Sequence, residues 1–81
     1  MAVDVIVDID KDTDLNQLIR FLLLKRKMTI AELSRRMSEI SGVKYSRFNI
    51  RAKIDRQSLR FHEMILICEV LGYKLDLKEI V

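Results

Sequence analysis

The chain has 81 residues, which is enough for one domain but too short for a dinucleotide-binding fold or a barrel enzyme. Its composition, 49% hydrophobic and 33% charged, excludes a disordered tail. The absence of proline and the presence of only two glycines favour helices over a β-sandwich. The net charge of +3 is unevenly distributed: residues 1–16 carry −4, whereas residues 20–60 carry twelve basic and three acidic residues, a net of +9. This basic middle predicts a polyanionic partner.

Several function classes lack the residues that they require. The single cysteine, Cys68, excludes an intrachain disulfide and suits a reducing compartment, so we expect a cytoplasmic protein. With His62 as the only histidine, a Cys/His zinc site is also excluded. The apolar run at residues 21–24 is far shorter than the roughly 20 residues of a membrane span. We find no glycine-rich phosphate loop and no nucleophile motif, and therefore expect no enzymatic activity, cofactor, metal or membrane association.

The first predicted elements are a strand and a helix. In residues 3–10, β-branched residues alternate with mostly acidic ones, which is typical of a half-buried strand. Asp14 and Gln17 then form a capping-box pattern, followed by an apolar stripe with helical spacing. A helix over residues 14–27 is predicted.

Two further helices follow, and the second of them has little apolar surface. Thr29 and Glu32 form another capping box, and the apolar stripe of a helix over residues 29–41 precedes Gly42. Ser46 is a candidate N-cap for a helix over residues 46–55, whose inward side consists of Ile50 and Ile54 alone. Because a basic helix with so narrow an apolar edge cannot be buried on all sides, we expect it on the surface.

The last predicted elements complete a single domain over residues 1–81. Residues 62–71 are apolar almost all round, which indicates a central helix, and residues 74–80 alternate like a second strand. The expected fold is mainly α: four helices with short terminal strands, residues 3–10 and 74–80, that pair with each other or with those of a second chain.

Three segments share a pattern with a known family: residues 22–33 (LLLKRKMTIAEL), 45–54 (YSRFNIRAKI) and 63–73 (EMILICEVLGY). On these segments, residues 15–77 resemble the lambda-repressor/Cro-like (XRE-type) helix-turn-helix family. The sequence departs from the family at Ile30, where members often have Gln, and at Ser34, where they often have Ala. The interval from Met37 to Ser46 is also longer than the family turn, so either the second helix extends to Ser41 or the turn is a loop. A strand replaces the fifth helix.

The resemblance implies a small transcription regulator that binds double-stranded DNA sequence-specifically, with the third helix in the major groove. Because the fifth helix is missing, the family's helix-mediated dimer is not implied, and a homodimer would instead form through the terminal strands. Two interpretations stay open for Phe48, contact with bases or packing against the preceding loop, and for Asn49, base contact or capping. Arg35 and Arg36 either contact phosphates or belong to a solvated face of the second helix. The competing function is a protein-interaction module on the same scaffold, such as an antitoxin-like or mobile-element accessory protein. The implied base contacts are Arg47, Phe48, Asn49 and Ala52, and the implied phosphate contacts are Arg35, Arg36, Lys44, Arg51 and Arg56.

Overall fold

In the computed structural model, residue 9 and residues 12–75 are described, and they form four helices. These are α1 (Leu15–Lys25), α2 (Ile30–Ser41), α3 (Arg47–Asp55) and α4 (Phe61–Leu71). The mainly α fold with four helices is therefore confirmed. None of these four helices has the length and apolar character that a membrane span requires.

The predicted terminal strands receive no support. Most of residues 3–10 and 74–80 lie outside the described part of the chain. The three positions of these segments that are described, Ile9, Lys74 and Leu75, belong to no strand. The alternating pattern that predicted both strands is a local signal, and strand formation also needs a partner edge.

The helices begin where the capping residues are. Asp14, Thr29 and Ser46 each accept a hydrogen bond from the backbone N–H three residues later, at 3.3, 3.1 and 3.1 Å. At the start of α4, Glu63 reaches back and accepts the N–H of Arg60 at 2.9 Å. Each of these bonds satisfies an N–H that has no partner within its helix.

Left-handed residues end the helices, in one case earlier than predicted. Helix α1 stops at Lys25 rather than at residue 27, because the backbone turns left-handed at Lys27 (φ 54°). Helix α2 continues to Ser41 and ends at Gly42 (φ 73°), where a glycine accepts this conformation without steric cost. Of the two alternatives for the interval after Met37, the extended helix is therefore correct.

The core lies between α2 and the other helices. Helix α2 packs against both α3 and α4, and α1 packs against α3. Helix α4 contributes six buried residues, more than any other helix, as expected for the most apolar one. The Arg26 guanidinium stacks 4.7 Å from the ring centre of Tyr73 and so connects the end of α1 to the end of α4. The fully buried apolar side chains are Ile19, Leu33, Met37, Ile50, Ile54 and Ile67.

Candidate nucleic-acid interface

Helix α3 lies on the surface with one edge in the core. Its predicted inward residues, Ile50 and Ile54, are both fully buried, which fixes the orientation of the helix. With about 100° between successive residues, the opposite side faces solvent. Arg47, Phe48 and Asn49 in the first turn of α3 are all exposed, whereas Ala52 is half-buried.

The first turn of α3 presents an aromatic ring beside a cation. Phe48 is 71% exposed, so it does not pack against the preceding loop. The Arg47 guanidinium stacks 4.9 Å from the centre of the Phe48 ring. The backbone N–H of Asn49 donates to the Ser46 hydroxyl at 3.1 Å, while the Asn49 side chain forms no hydrogen bond with another described residue. The capping therefore involves the backbone of Asn49 and leaves its amide group available.

The second half of α3 is tied to α4 by a partly buried ion pair. The Lys53 Nζ donates to the Glu63 Oε2 at 2.5 Å, and Glu63 is only 2% exposed. Burial by itself raises the pKa of Glu63, but hydrogen bonds from Lys53 and from the Arg60 N–H outweigh it, so the pKa is lowered. Both carboxylate oxygens of Glu63 thus accept a hydrogen bond, Oε2 from Lys53 near the end of α3 and Oε1 from the Arg60 N–H at the start of α4.

A second polar contact ties the end of α3 to α1. The Asp55 Oδ1 accepts from Arg20 Nη2 at 2.8 Å and from Asn16 Nδ2 at 2.9 Å. The hydrogen bond from Arg20 is the main reason why the pKa of Asp55 is lowered, and the charge of Arg51 contributes to the same direction. The carboxylate of Asp55 is therefore matched by a cation and does not add an unpaired negative charge to this surface.

Three further exposed cations lie before, beside and after α3. Lys44 precedes the helix, Arg51 lies on its flank and Arg56 follows its last residue, and all three are exposed. No ion pair joins them to any residue in the described part of the chain. We define the α3 surface as these three cations together with the four residues implied to contact bases: Lys44, Arg47, Phe48, Asn49, Arg51, Ala52 and Arg56.

The two arginines of α2 form ion pairs within their own helix. Arg35 forms an ion pair with Glu39 at 2.8 Å, and Arg36 forms one with Glu32 at 3.3 Å. Both arginines line a shallow groove between α2 and α4, together with Glu69 and other residues. The resemblance implied that Arg35 and Arg36 contact phosphates. In the structure, each of them pairs with an acidic side chain one turn away.

Ser38 lies on the side of α2 that faces the residues just before α3. The Ser38 hydroxyl accepts the N–H of Tyr45, just before α3, at 2.9 Å. Arg36 precedes Ser38 by two residues, which is about 200° around the helix. Arg36 therefore points away from the Tyr45 side of α2, and it lines the groove between α2 and α4.

The two positions where α2 departs from the family pattern have internal roles. Ile30 is half-buried and packs against the core. Ser34 is 5% exposed, and its hydroxyl donates to the Ala31 carbonyl at 2.8 Å. The serine side chain is small enough to be buried at this position, and the hydrogen bond satisfies its hydroxyl.

The remaining reactive side chains do not form a catalytic or metal site in the described residues. Cys68 is buried, and burial raises the pKa of its thiol. His62 is exposed at the start of α4. No group of three or more His, Cys, Asp or Glu residues lies close enough together in this part of the chain to hold a metal ion.

Sequence reasoning missed the two contacts that hold α3 in place. Lys53 and Glu63 are ten residues apart and belong to different helices, while Arg20 and Asp55 are 35 residues apart. A partial signal was present, because Glu63 is the third residue of α4, where a carboxylate often caps the helix start. No local pattern indicates the Arg20–Asp55 pair.

Comparison with known proteins identifies a family but no activity. No curated protein and no solved structure matches the chain. A family model described as Domain of unknown function (DUF6471) matches residues 13–75, which are 63 of the 81 residues and include all four helices and the α3 surface. The chain therefore belongs to the DUF6471 family.

Proposed function

We propose that this protein binds double-stranded DNA sequence-specifically and acts as a small cytoplasmic transcription regulator. One observation carries the proposal: the first turn of α3 exposes a cation, an aromatic ring and an unbonded amide side by side. The acidic residue of the same helix, Asp55, is meanwhile paired with Arg20. Exposed groups of these types suit the recognition of base edges.

The dimensions and chemistry of α3 fit a major groove. The groove is about 12 Å wide, and a helix with its side chains is about 10–12 Å across. Arg47 offers two donors to guanine O6 and N7, and Asn49 offers a donor and an acceptor to adenine. The cations at Lys44, Arg51 and Arg56 lie before, beside and after α3 and would contact phosphates on either side of the groove.

Arg35 and Arg36 have a smaller part in this proposal. Each is engaged in an exposed ion pair, of a kind that stabilises a protein by only about 0–1 kcal/mol, so a phosphate could displace it. Both arginines, however, line the groove between α2 and α4 and do not belong to α3. We therefore expect weaker effects on DNA affinity from Arg35 and Arg36 than from Arg51 or Arg56.

We further propose that the domain is a divergent member of the lambda-repressor/Cro-like helix-turn-helix group. The packing of α2 against α3, each capped by a Ser or Thr, supports this proposal. A single recognition helix contacts few base pairs, so specific binding would use two copies on half-sites about 34 Å apart. Sedimentation with and without duplex, and the spacing of the protected bases, would test the homodimer. A strict monomer protecting one short site would contradict it.

The decisive experiment selects bound sequences from a random duplex pool and measures affinity against salt. We expect a defined sequence preference, and an affinity that falls steeply as salt rises because phosphate contacts release counterions. Arg47→Ala should relax the preference at one or two base pairs. The matched control is Lys25→Ala, which removes an exposed cation from α1 and should leave the preference unchanged. The absence of duplex affinity at low salt would refute the proposal.

The competing function, a protein-interaction module, is favoured by a different surface. Phe21 and Leu24 are 53% and 78% exposed on the side of α1 opposite the core. If this surface carries the function, Leu24→Glu should abolish a stoichiometric complex with a protein partner. Arg47→Ala should then leave that complex intact. A protein that selects a duplex sequence through Arg47 and is indifferent to Leu24→Glu would exclude this alternative.

A further inference from the structure

The exposed ring of Phe48 beside Arg47 is a feature that binding to DNA phosphates does not require. Phosphate attraction needs only the cations, yet the first turn of α3 also places a phenyl ring 71% in solvent. Phe61 on α4 is exposed to the same extent, so exposure alone does not single out Phe48. What distinguishes Phe48 is its place in the first turn of the proposed recognition helix beside Arg47, where an apolar contact in the bound state would bury the ring. Half-buried Ala52 lies one turn after Phe48, about 40° around the helix, and extends the same apolar strip.

In the major groove, the apolar group of an unmodified base pair is the C5 methyl of thymine. 5-Methylcytosine carries a methyl group at the same ring position. The guanidinium of Arg47 and the ring of Phe48 are 4.9 Å apart, a distance between one and two steps of about 3.4 Å between successive base pairs. The pair can therefore contact neighbouring base pairs, with Arg47 on guanine O6 and N7 and Phe48 on a methyl group.

We propose that Arg47 and Phe48 recognise a two-base-pair step in which a guanine neighbours a 5-methylpyrimidine, so that DNA binding depends on a C5 methyl group. This inference rests on the proposed DNA binding. Phe48 has no hydrogen-bonding group and does not distinguish thymine from 5-methylcytosine. Methylation of cytosine at C5 beside the guanine therefore strengthens binding.

The test uses the duplex sequence obtained by selection. Each thymine in the protected region is replaced singly by uracil, which removes only the methyl group, and the dissociation constant is measured by fluorescence anisotropy. For the unmodified protein we expect about a fourfold loss of affinity at one or two positions. This figure corresponds to about 0.8 kcal/mol for one buried carbon, with 1.4 kcal/mol per tenfold. A cytosine at the same position, paired with guanine, should gain about fourfold on C5 methylation.

Two variants show whether Phe48 is responsible. Phe48→Ala should bind the thymine and uracil duplexes equally, and because the side chain is exposed the variant should stay folded, which circular dichroism checks. The matched control is Phe21→Ala, which removes another exposed ring with a cation near it, Lys25 at 5.8 Å, from a different helix. Phe21→Ala should retain the fourfold difference.

The outcomes separate this inference from the proposed function. If the protein selects a sequence through Arg47 but every uracil duplex binds within twofold of its parent, the methyl contact is refuted while DNA binding stands. An equal fourfold loss for Phe48→Ala and the unmodified protein would likewise refute the role of Phe48. If no duplex binds at low salt, both proposals fall together.

Discussion

Replacing Glu63 tests whether the ion pair with Lys53 holds the candidate DNA-binding helix in place. The carboxylate makes two hydrogen bonds, to the Lys53 Nζ at 2.5 Å and to the Arg60 N–H at 2.9 Å. Glu63→Ala removes both. The ammonium of Lys53 then loses its partner, and the N–H of Arg60 at the start of α4 loses its acceptor.

The size of the effect follows from the surroundings of each group. A hydrogen bond to a charged group stabilises a fold by about 1.5–3 kcal/mol, and the lower end applies because the Lys53 side chain is 29% exposed and water can replace the carboxylate. The lost cap adds about 1 kcal/mol. We therefore expect Glu63→Ala to lower the free energy of unfolding by about 2–3 kcal/mol. In a domain of this size, that corresponds to a fall in Tm of roughly 10–20 °C.

Urea unfolding followed by circular dichroism measures this change, and Glu69→Ala is the matched control. Glu69 belongs to the same helix and is exposed, so its replacement should change the free energy of unfolding by less than about 0.5 kcal/mol. If Glu63→Ala and Glu69→Ala have equal effects, the ion pair does not stabilise the fold and the reasoning fails.

The pH dependence gives an independent test of the same carboxylate. The folded-state pKa of Glu63 is lower than its ordinary value of 4.5, so its stabilising contribution is complete above that pH. This contribution is lost as pH falls through the folded-state pKa. Glu63→Gln cannot titrate and should therefore lose less stability between pH 5 and pH 3 than the unmodified protein. Parallel curves for the two proteins would contradict the lowered pKa.

Three further predictions concern other parts of the molecule. Arg56→Ala should weaken binding to all duplex sequences alike and reduce the salt slope by about one, since the cation contacts phosphate; a change in the selected sequence would contradict this. Lys27→Gly should raise the free energy of unfolding by about 0.5–1 kcal/mol, because glycine adopts φ 54° without steric cost; a loss of stability in urea would refute it. Cys68, buried and with a raised pKa, should react with a thiol reagent only as fast as the domain unfolds, and burst labelling of the native protein would contradict its burial.

The helices could be predicted because their signals are local. Capping residues such as Thr29 and Ser46 act within three positions, and an apolar stripe such as the pair Ile50 and Ile54 is visible in the sequence itself. The end of α1 could not be placed, because the left-handed turn falls on Lys27 rather than on a glycine. Lysine favours helical conformations, but here the Met28 N–H donates to the Leu23 carbonyl at 2.9 Å, and this hydrogen bond closes the turn that ends the helix.

The candidate site could be predicted only in part. Periodicity placed Phe48 on the outward side of α3 but could not decide between solvent and the preceding loop, because that depends on where the loop lies. The implied contacts Arg35 and Arg36 were chosen by their position in a family pattern. Their pairing with Glu32 and Glu39 follows the four-residue spacing, whereas their place beside the α2–α4 groove depends on how α2 packs against α4.

Helix α3 is divided into an anchored half and a free half, and this division connects its stability to its proposed function. Only two apolar residues hold α3 in the core, so polar contacts must supply much of its fixation. Lys53 and Asp55 provide those contacts, to α4 and α1, and both lie in the last turn. The first turn consequently keeps the side chains of Arg47 and Asn49 clear of ion pairs and hydrogen bonds with the rest of the described chain, while its position is fixed from the other end. A recognition surface needs this combination, because side chains that must reach base edges bind best when the backbone beneath them is already in place.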